Sequence, residues 1–241
     1  MRTAIEDSFA AARRIEVVPT WVLSNHDFVR ETTRYGLPQD VVAKEWLLEG
    51  DRSQFDLEIG LRRARAAALL MLALPGPVYL YQGEELGLPE VHDLPIEVLD
   101  DPVWVRSGHT EKGRDGCRVP IPWTVAGESH GFGVNGSWLP QPPGWGEWSV
   151  EAQEGVTGST LELYRSALRL RREHFGGDED LEWVDLGPDV VAFRRGSGVV
   201  CVVNFGADPV DMPAGDVLLA SVPLGVLTLP PDAAAWIETS T

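Results

Sequence analysis

Two short apolar runs, each broken off by a polar cluster and separated by one helical stretch, constrain this chain more than any other feature. The first, Val17-Val18-Pro19-Thr20-Trp21-Val22-Leu23, stops at Ser24-Asn25-His26-Asp27, and the second, Val78-Tyr79-Leu80-Tyr81, runs straight into Gln82-Gly83-Glu84-Glu85. Runs this short, rich in β-branched and aromatic residues, predict buried strands that end in polar loops. Between them, from about Asp51 to Leu74, the residues Leu57, Leu61, Ala64, Ala68 and Met71 share one helical face. Asp51 or Ser53 is the expected cap, and Pro75-Gly76-Pro77 ends the helix. Strand, helix and strand in that order predict a parallel unit, because parallel neighbours need a crossover long enough to hold a helix. Ahead of the first run, residues 2–14 read as the end of an amphipathic helix.

Residues 88–150 carry little periodicity and much Pro, Gly and Trp, a length that predicts a functional segment and not an idle connector. Order returns between Ser159 and His174, where Leu161, Tyr164 and Leu168 line one face and Arg169, Arg171 and Arg172 complement the dipole of the last turn. Gly176-Gly177 is the expected stop. Five β-type runs follow at 181–186, 190–194, 199–205, 216–222 and 233–237, with Gly or Pro beside them, which predicts a small antiparallel domain.

Composition narrows the partners. The net charge is −17 and the only lysines are Lys44 and Lys112, which argues against nucleic acid, since phosphate binding needs clustered cations. The start of the chain has no apolar core of signal-peptide length, and no run approaches a membrane span, so neither export nor membrane insertion is indicated. Cys117, in a polar stretch, and Cys201, in an apolar run, write no disulfide framework and no metal-binding CxxC, which fits a reducing cytoplasm. No metal and no cofactor are implied.

In parallel α/β folds ligands meet the C-terminal ends of strands, which directs attention to the two polar clusters. Asn25, His26 and Asp27 supply an amide, an imidazole and a carboxylate suited to adjacent sugar hydroxyls, or equally an Asx-type turn that satisfies its own backbone. Glu84 and Glu85 stand beside a Gly that permits close backbone approach, or simply begin the next element. A third cluster, Lys112-Gly113-Arg114-Asp115-Gly116-Cys117-Arg118-Val119-Pro120-Ile121-Pro122-Trp123, offers two guanidinium groups that could anchor a hydroxyl or pair with an Asp. Trp104, Trp123, Trp138, Trp145 and Trp148 provide either sugar-stacking faces or loop-core packing.

Taken together, Val22 to Asp27, Val78 to Leu86, Gly113 to Trp123 and Gly131 to Leu139 resemble, in order and spacing, the α-glucosidase branch of glycoside hydrolase family 13, the α-amylase superfamily. The resemblance covers roughly residues 15–205. It implies an α/β plus all-β chain: the last strands and helices of a (β/α)₈ TIM barrel over residues 1–176, then a small antiparallel β-sandwich over 177–241. By position Asp27 corresponds to the carboxylate that stabilises the oxocarbenium-like transition state. His26, Asn25, Arg114, Glu84 and Arg118 fall among substrate-binding positions, Arg114 anchoring the non-reducing glucose and Arg118 bracing its loop. The implied activity is an exo-acting retaining α-glucosidase taking terminal α-linked glucose from oligosaccharides or disaccharides. A trehalose-forming or other glucosyl transferase or isomerase, and a non-catalytic sugar-binding fragment, are the alternatives. Retaining hydrolysis needs a nucleophile and an acid/base, which the resemblance places before Met1. The chain alone is therefore expected to be inactive, to require the N-terminal barrel portion, and to expose apolar strand edges without it.

Overall fold

The structure, a computed structural model, describes residues 1–176, 181–196, 198–225 and 228–239. Gly177, expected to help stop the helix before it, lies outside them. The chain forms two compact units, one of residues 1–23, 65–79 and 163–241, the other of residues 24–64 and 80–162.

The first unit is built on an antiparallel sheet. Strands β3 (Leu181–Val184), β4 (Val190–Arg195), β5 (Val199–Asn204), β7 (Asp216–Ala220) and β9 (Ala233–Glu238) are ordered β3-β4-β5-β9-β7. Every residue of β5 is buried, so it needs cover on both faces. On one face Val199, Cys201 and Val203 join Phe193, Ala234 and Trp236 against Leu69, Leu72, Tyr164, Ala167 and Leu170, from helices α4 (Leu57–Ala73) and α8 (Thr160–His174). On the other, Val200 and Val202 join Ala192, Ala235 and Ile237 under the ribbon of β6 (Val210–Asp211) and β8 (Thr228–Leu229). Each fully buried Val or Ile contributes about 1.5–3 kcal/mol, and the Trp236 indole N–H is satisfied by the Leu69 carbonyl at 3.1 Å. The five long strands match the expected runs within one or two residues. The short pair β6–β8 went unread because two-residue strands carry no alternation.

Helix α1 (Arg2–Arg13) lies where the sequence predicts it. Strands β1 (Trp21–Val22) and β2 (Val78–Tyr79) pair in parallel, Trp21 opposite Val78 and Val22 opposite Tyr79. Parallel pairing agrees with the expectation; burial does not. Both strands are two residues long, so Val17, 52% exposed, lies outside β1, and Val22 and Tyr79 are 45% and 66% exposed, since among the described residues each strand has a partner on one side only. The free carbonyls at the end of α4 are capped by arginines: Arg171 donates to Leu72 O, to Leu74 O at 2.9 Å and to Gly76 O at 2.6 Å, and Arg195 donates to Ala73 O at 2.7 Å.

The second unit has no sheet among its described residues. Helices α2 (Glu31–Gly36), α3 (Ala43–Glu49), α5 (Pro102–Arg106), α6 (Asp115–Arg118) and α7 (Val150–Gln153) are short, and the first turns of α4 pack here too. The expected cap of α4 is corrected. Asp51 caps a separate 3-10 turn, Arg52–Gln54, and the side chain that accepts from the first turn of α4 is Asp56, from Ile59 N at 2.9 Å. Gly60 lets α4 approach α2, because a Cβ there would sit 2.1 Å from the Thr32 carbonyl oxygen. Leu86, Leu88, Val91, Leu94, Val119, Ile121 and Trp145 form one apolar cluster, and Leu37, Trp46 and Leu47 a second. Cys117 is in α6 and buried, not in an open polar loop.

Candidate active site

One buried arginine that sequence reasoning passed over organises this unit. Arg30 is 1% exposed, and its guanidinium donates to three carbonyls from two distant segments: Gln82 O at 2.6 Å, Cys117 O at 2.8 Å and Val119 O at 3.2 Å. Its own N–H donates to Glu90 Oε2 at 2.9 Å. The planar fork thus ties the segment after β1 to the segment after β2 and to the Arg114 loop. Gly83 is part of the same contact: its φ is +92°, and a Cβ there would lie 2.4 Å from Arg30 Nη1. The signal in sequence was weak, a single Arg three residues beyond Asp27.

Asn25, His26, Asp27, Arg114 and Arg118 are brought together by this framework. Asn25 Oδ1 accepts from Asp27 N at 2.8 Å, an Asx turn that fixes the backbone under the carboxylate. Asp27 is about half exposed, and its Oδ1 accepts from Arg114 Nη1 at 2.6 Å. His26 Nε2 stands 3.6 Å from Asp27 Oδ2, with its imidazole largely exposed. Arg118 donates through Nε to His26 O at 3.1 Å and places Nη2 3.6 Å from Asp27 Oδ1, so it braces the turn and faces the carboxylate at once.

Arg114 is itself held by Asp101, a residue absent from the sequence-derived set. Asp101 Oδ2 accepts from Arg114 Nε at 2.5 Å and from Arg114 N at 3.1 Å, while its Oδ1 accepts from Arg114 Nη2 at 3.2 Å and caps α5 through Val103 N at 2.9 Å. The Asp101 carboxylate is fully buried, and the hydrogen bonds from Arg114 lead in holding its carboxyl down at about 2, with burial opposing them. The hydrogen bonds from Asp101 and Asp27 raise the guanidinium of Arg114 in turn. Asp101-Pro102, a capping Asp followed by a first-position Pro, was the available signal. It marks a helix start, however, and says nothing of a partner 13 residues away.

Glu84 is placed apart from this cluster. It is 2% exposed, and its Oε1 accepts from Ser24 N at 3.0 Å. Burial, reinforced by the nearby charge of Glu31, pushes its carboxyl up to about 8. Beside Asp27 and Arg114 a cavity of about 460 Å³ opens, walled by Phe28, Val29, Leu47 and Val103. Of the tryptophans in the irregular segment, Trp145 is core, whereas Trp123 and Trp138 are 48% and 70% exposed. Among the described residues no group of three or more His, Cys, Asp or Glu is arranged to hold a metal ion, and no helix is long and apolar enough to cross a membrane.

An exposed carboxylate paired with a braced guanidinium, on loops that follow parallel strands, is an arrangement that can hold adjacent hydroxyls of one sugar ring. Residues 1–176 match the family described as "Alpha amylase, catalytic domain", and residues 178–236 match a domain of unknown function, DUF3459. A probable alpha-glucosidase of Rhizobium meliloti (strain 1021) is 32% identical over 188 residues, 76% of this chain and 30% of that protein. An oligo-1,6-glucosidase of Parageobacillus thermoglucosidasius is 28% identical over 206 residues, 76% of this chain and 33% of its own length. The chain thus spans about a third of the curated relatives it matches. Among solved structures, the alpha-glucosyl transfer enzyme XgtA superposes with a TM-score of 0.68 at 30% identity, covering 98% of this chain and 43% of that one. With the catalytic-domain family matched from Met1 to Gly176, this chain belongs to the α-amylase family, glycoside hydrolase family 13.

Proposed function

We propose that this chain supplies part of the active site of an exo-acting retaining α-glucosidase, which removes terminal α-linked glucose from oligosaccharides or disaccharides. The observation that carries the reading is the Asp27–Arg114 pair at 2.6 Å, with Arg114 locked from behind by buried Asp101. In this reading Asp27 holds hydroxyls of the distorted glucose and stabilises the positive charge that develops at its anomeric carbon. Arg114 and His26 anchor the same ring, Asn25 and Arg118 hold the turn, and Glu84 acts from below it. Retaining hydrolysis also needs a nucleophile and an acid/base carboxyl. The reading assigns these to the N-terminal part of the same barrel, residues 1–176 to its C-terminal part, and residues 177–241 to the β domain. The matches of two separate families to 1–176 and 178–236 support that division. A second reading, glucosyl transfer, is favoured by the 30% identity to an alpha-glucosyl transfer enzyme.

Titration calorimetry of the chain with maltose tests the alternative of a non-catalytic sugar-binding fragment: no detectable heat leaves that alternative without support. In an enzyme form holding all three carboxylates, Asp27→Asn is expected to lower kcat/KM by about 10³-fold or more. Near-normal turnover refutes the role given to Asp27. Product analysis of that form, glucose against a new glucoside, separates hydrolysis from transfer.

A further inference from the structure

Directly beneath the Asn25–Asp27 turn lie two buried carboxyl groups joined through one serine. Ser24 N donates to Glu84 Oε1 at 3.0 Å, Ser24 Oγ donates to Glu31 Oε2, and Glu31 N donates back to Ser24 Oγ at 3.1 Å. Glu31 and Glu84 are each 2% exposed, and Glu84 Oε2 has no hydrogen-bond partner among the described residues. Arg30, buried with them, spends its terminal nitrogens on the carbonyls of Gln82, Cys117 and Val119. Two anions in such a place, one with an unpaired oxygen, are too costly to coexist, since a buried unpaired charge costs several kcal/mol. One proton between them removes most of that cost.

We propose that Glu31 and Glu84 are a positioning pair for the candidate site: they hold one proton between them and, through Ser24, set the place of the Asn25–Asp27 turn. Ser24 is bonded by both carboxyls and is followed at once by the turn whose amide, Asp27 N, is bound to Asn25 Oδ1. Ionising the second carboxyl adds a like charge on the far side of Ser24, and the short link must lengthen or turn. The groups facing the pair are Arg30 just before α2, Arg34 and Tyr35 on α2, Glu85 beside Glu84, and Glu90. Burial raises Tyr35 above the ordinary phenol value, so it stays neutral across the range in which Glu84 titrates, near 8. The proton-holding pair stands on geometry alone; only the statement that Asp27 is the group to be placed for substrate rests on the α-glucosidase reading.

The test is NMR of the whole chain, with no sugar present. The side-chain carboxyl carbon of Glu84 and the backbone amides of Asn25 and Asp27 are followed from about pH 6.5 to about pH 9.5. The expected result is one common step near 8 in all three signals, and its loss from both amides in Glu84→Gln, which cannot ionise. Amides that stay fixed while Glu84 titrates, or a step that persists in Glu84→Gln, overturn the proposal. Should Glu84→Gln not fold, Glu31→Gln decides: it keeps the Ser24 N–Glu84 bond and removes the like charge beside it, so the common step must move to lower pH in all three signals. A step that stays near 8 in Glu31→Gln is refutation. None of these signals depends on sugar binding, so a failed maltose titration leaves this result standing.

Discussion

Arg30→Met isolates what a single buried guanidinium does for the second unit. Methionine keeps much of the aliphatic stem and removes the donors to Gln82 O, Cys117 O and Val119 O. A buried polar group left unsatisfied costs about 1–3 kcal/mol. Met also relieves the burial of a positive charge, which places each loss near the low end and the total near about 3 kcal/mol. At about 1.4 kcal/mol per tenfold, local opening becomes about 100-fold more frequent. Hydrogen exchange read by mass spectrometry on peptides spanning 24–31, 82–88 and 114–122 is expected to quicken by that factor in all three segments together. Arg30→Lys is the decisive companion. An ammonium keeps the charge but cannot fork to three carbonyls across two segments, so it should recover about one third of the loss. Exchange in Arg30→Lys within about threefold of the unaltered protein would show that Arg30 acts by charge alone and refute the argument.

Gly83→Ala should act through the same contact. At φ +92° an alanine is strained by about 1–3 kcal/mol, its Cβ meets Arg30 Nη1, and a double-mutant cycle with Arg30→Met is expected to be strongly non-additive in the same exchange assay. Stability should depend on pH through the buried acids. Burial raises Glu84 to about 8 and Glu90 to about 7, so their protonated forms favour the fold fully below the ordinary value of 4.5. That contribution is lost as pH rises through 7 and 8, and the urea midpoint should fall between about pH 5 and about pH 9, less so in Glu84→Gln. Asp101 has the opposite sign: its carboxyl is held near 2, so its contribution is present above 3.8 and is lost as pH falls through 2. Asp101→Asn should release Arg114 and weaken maltose binding by about tenfold in calorimetry, with the Asp27 turn intact by NMR.

The parts of the fold that could be read were those written in short-range pattern. The parallel pairing of β1 with β2 followed from two apolar runs around one helix, and β3, β4, β5, β7 and β9 followed from Gly and Pro at their borders. Asp51, Ser53 and Asp56 all satisfy the rule for a cap, and only the extra 3-10 turn decides which one serves α4. The exposure of Val22 and Tyr79 depends on how many neighbours a strand has, which its own residues do not record. Arg30 and Asp101 were missed for a related reason. The meaning of each lies in partners 13 to 89 residues away, and a lone Arg or an Asp before Pro has a sufficient local explanation.

The absence of a sheet among the described residues of the second unit also explains why its acids differ so much in role. Loop backbone has no neighbouring strand to bond with, so buried N–H groups must find side-chain acceptors. Glu84 accepts from Ser24 N, Glu90 from Arg30 N, Asp115 from Asp100 N and Asp101 N, and Asp101 from Val103 N and Arg114 N. All four are 5% exposed or less. Asp27 is different: its carboxylate is 46% exposed and is bonded to a guanidinium that a second acid holds in place. A sugar can approach such a group and replace part of an ion pair with hydroxyl hydrogen bonds, leaving neither partner buried and unpaired. Acid content alone marked Glu84 and Asp27 equally. Backbone accounting separates them, assigning Glu84 to the support and leaving Asp27 at the surface.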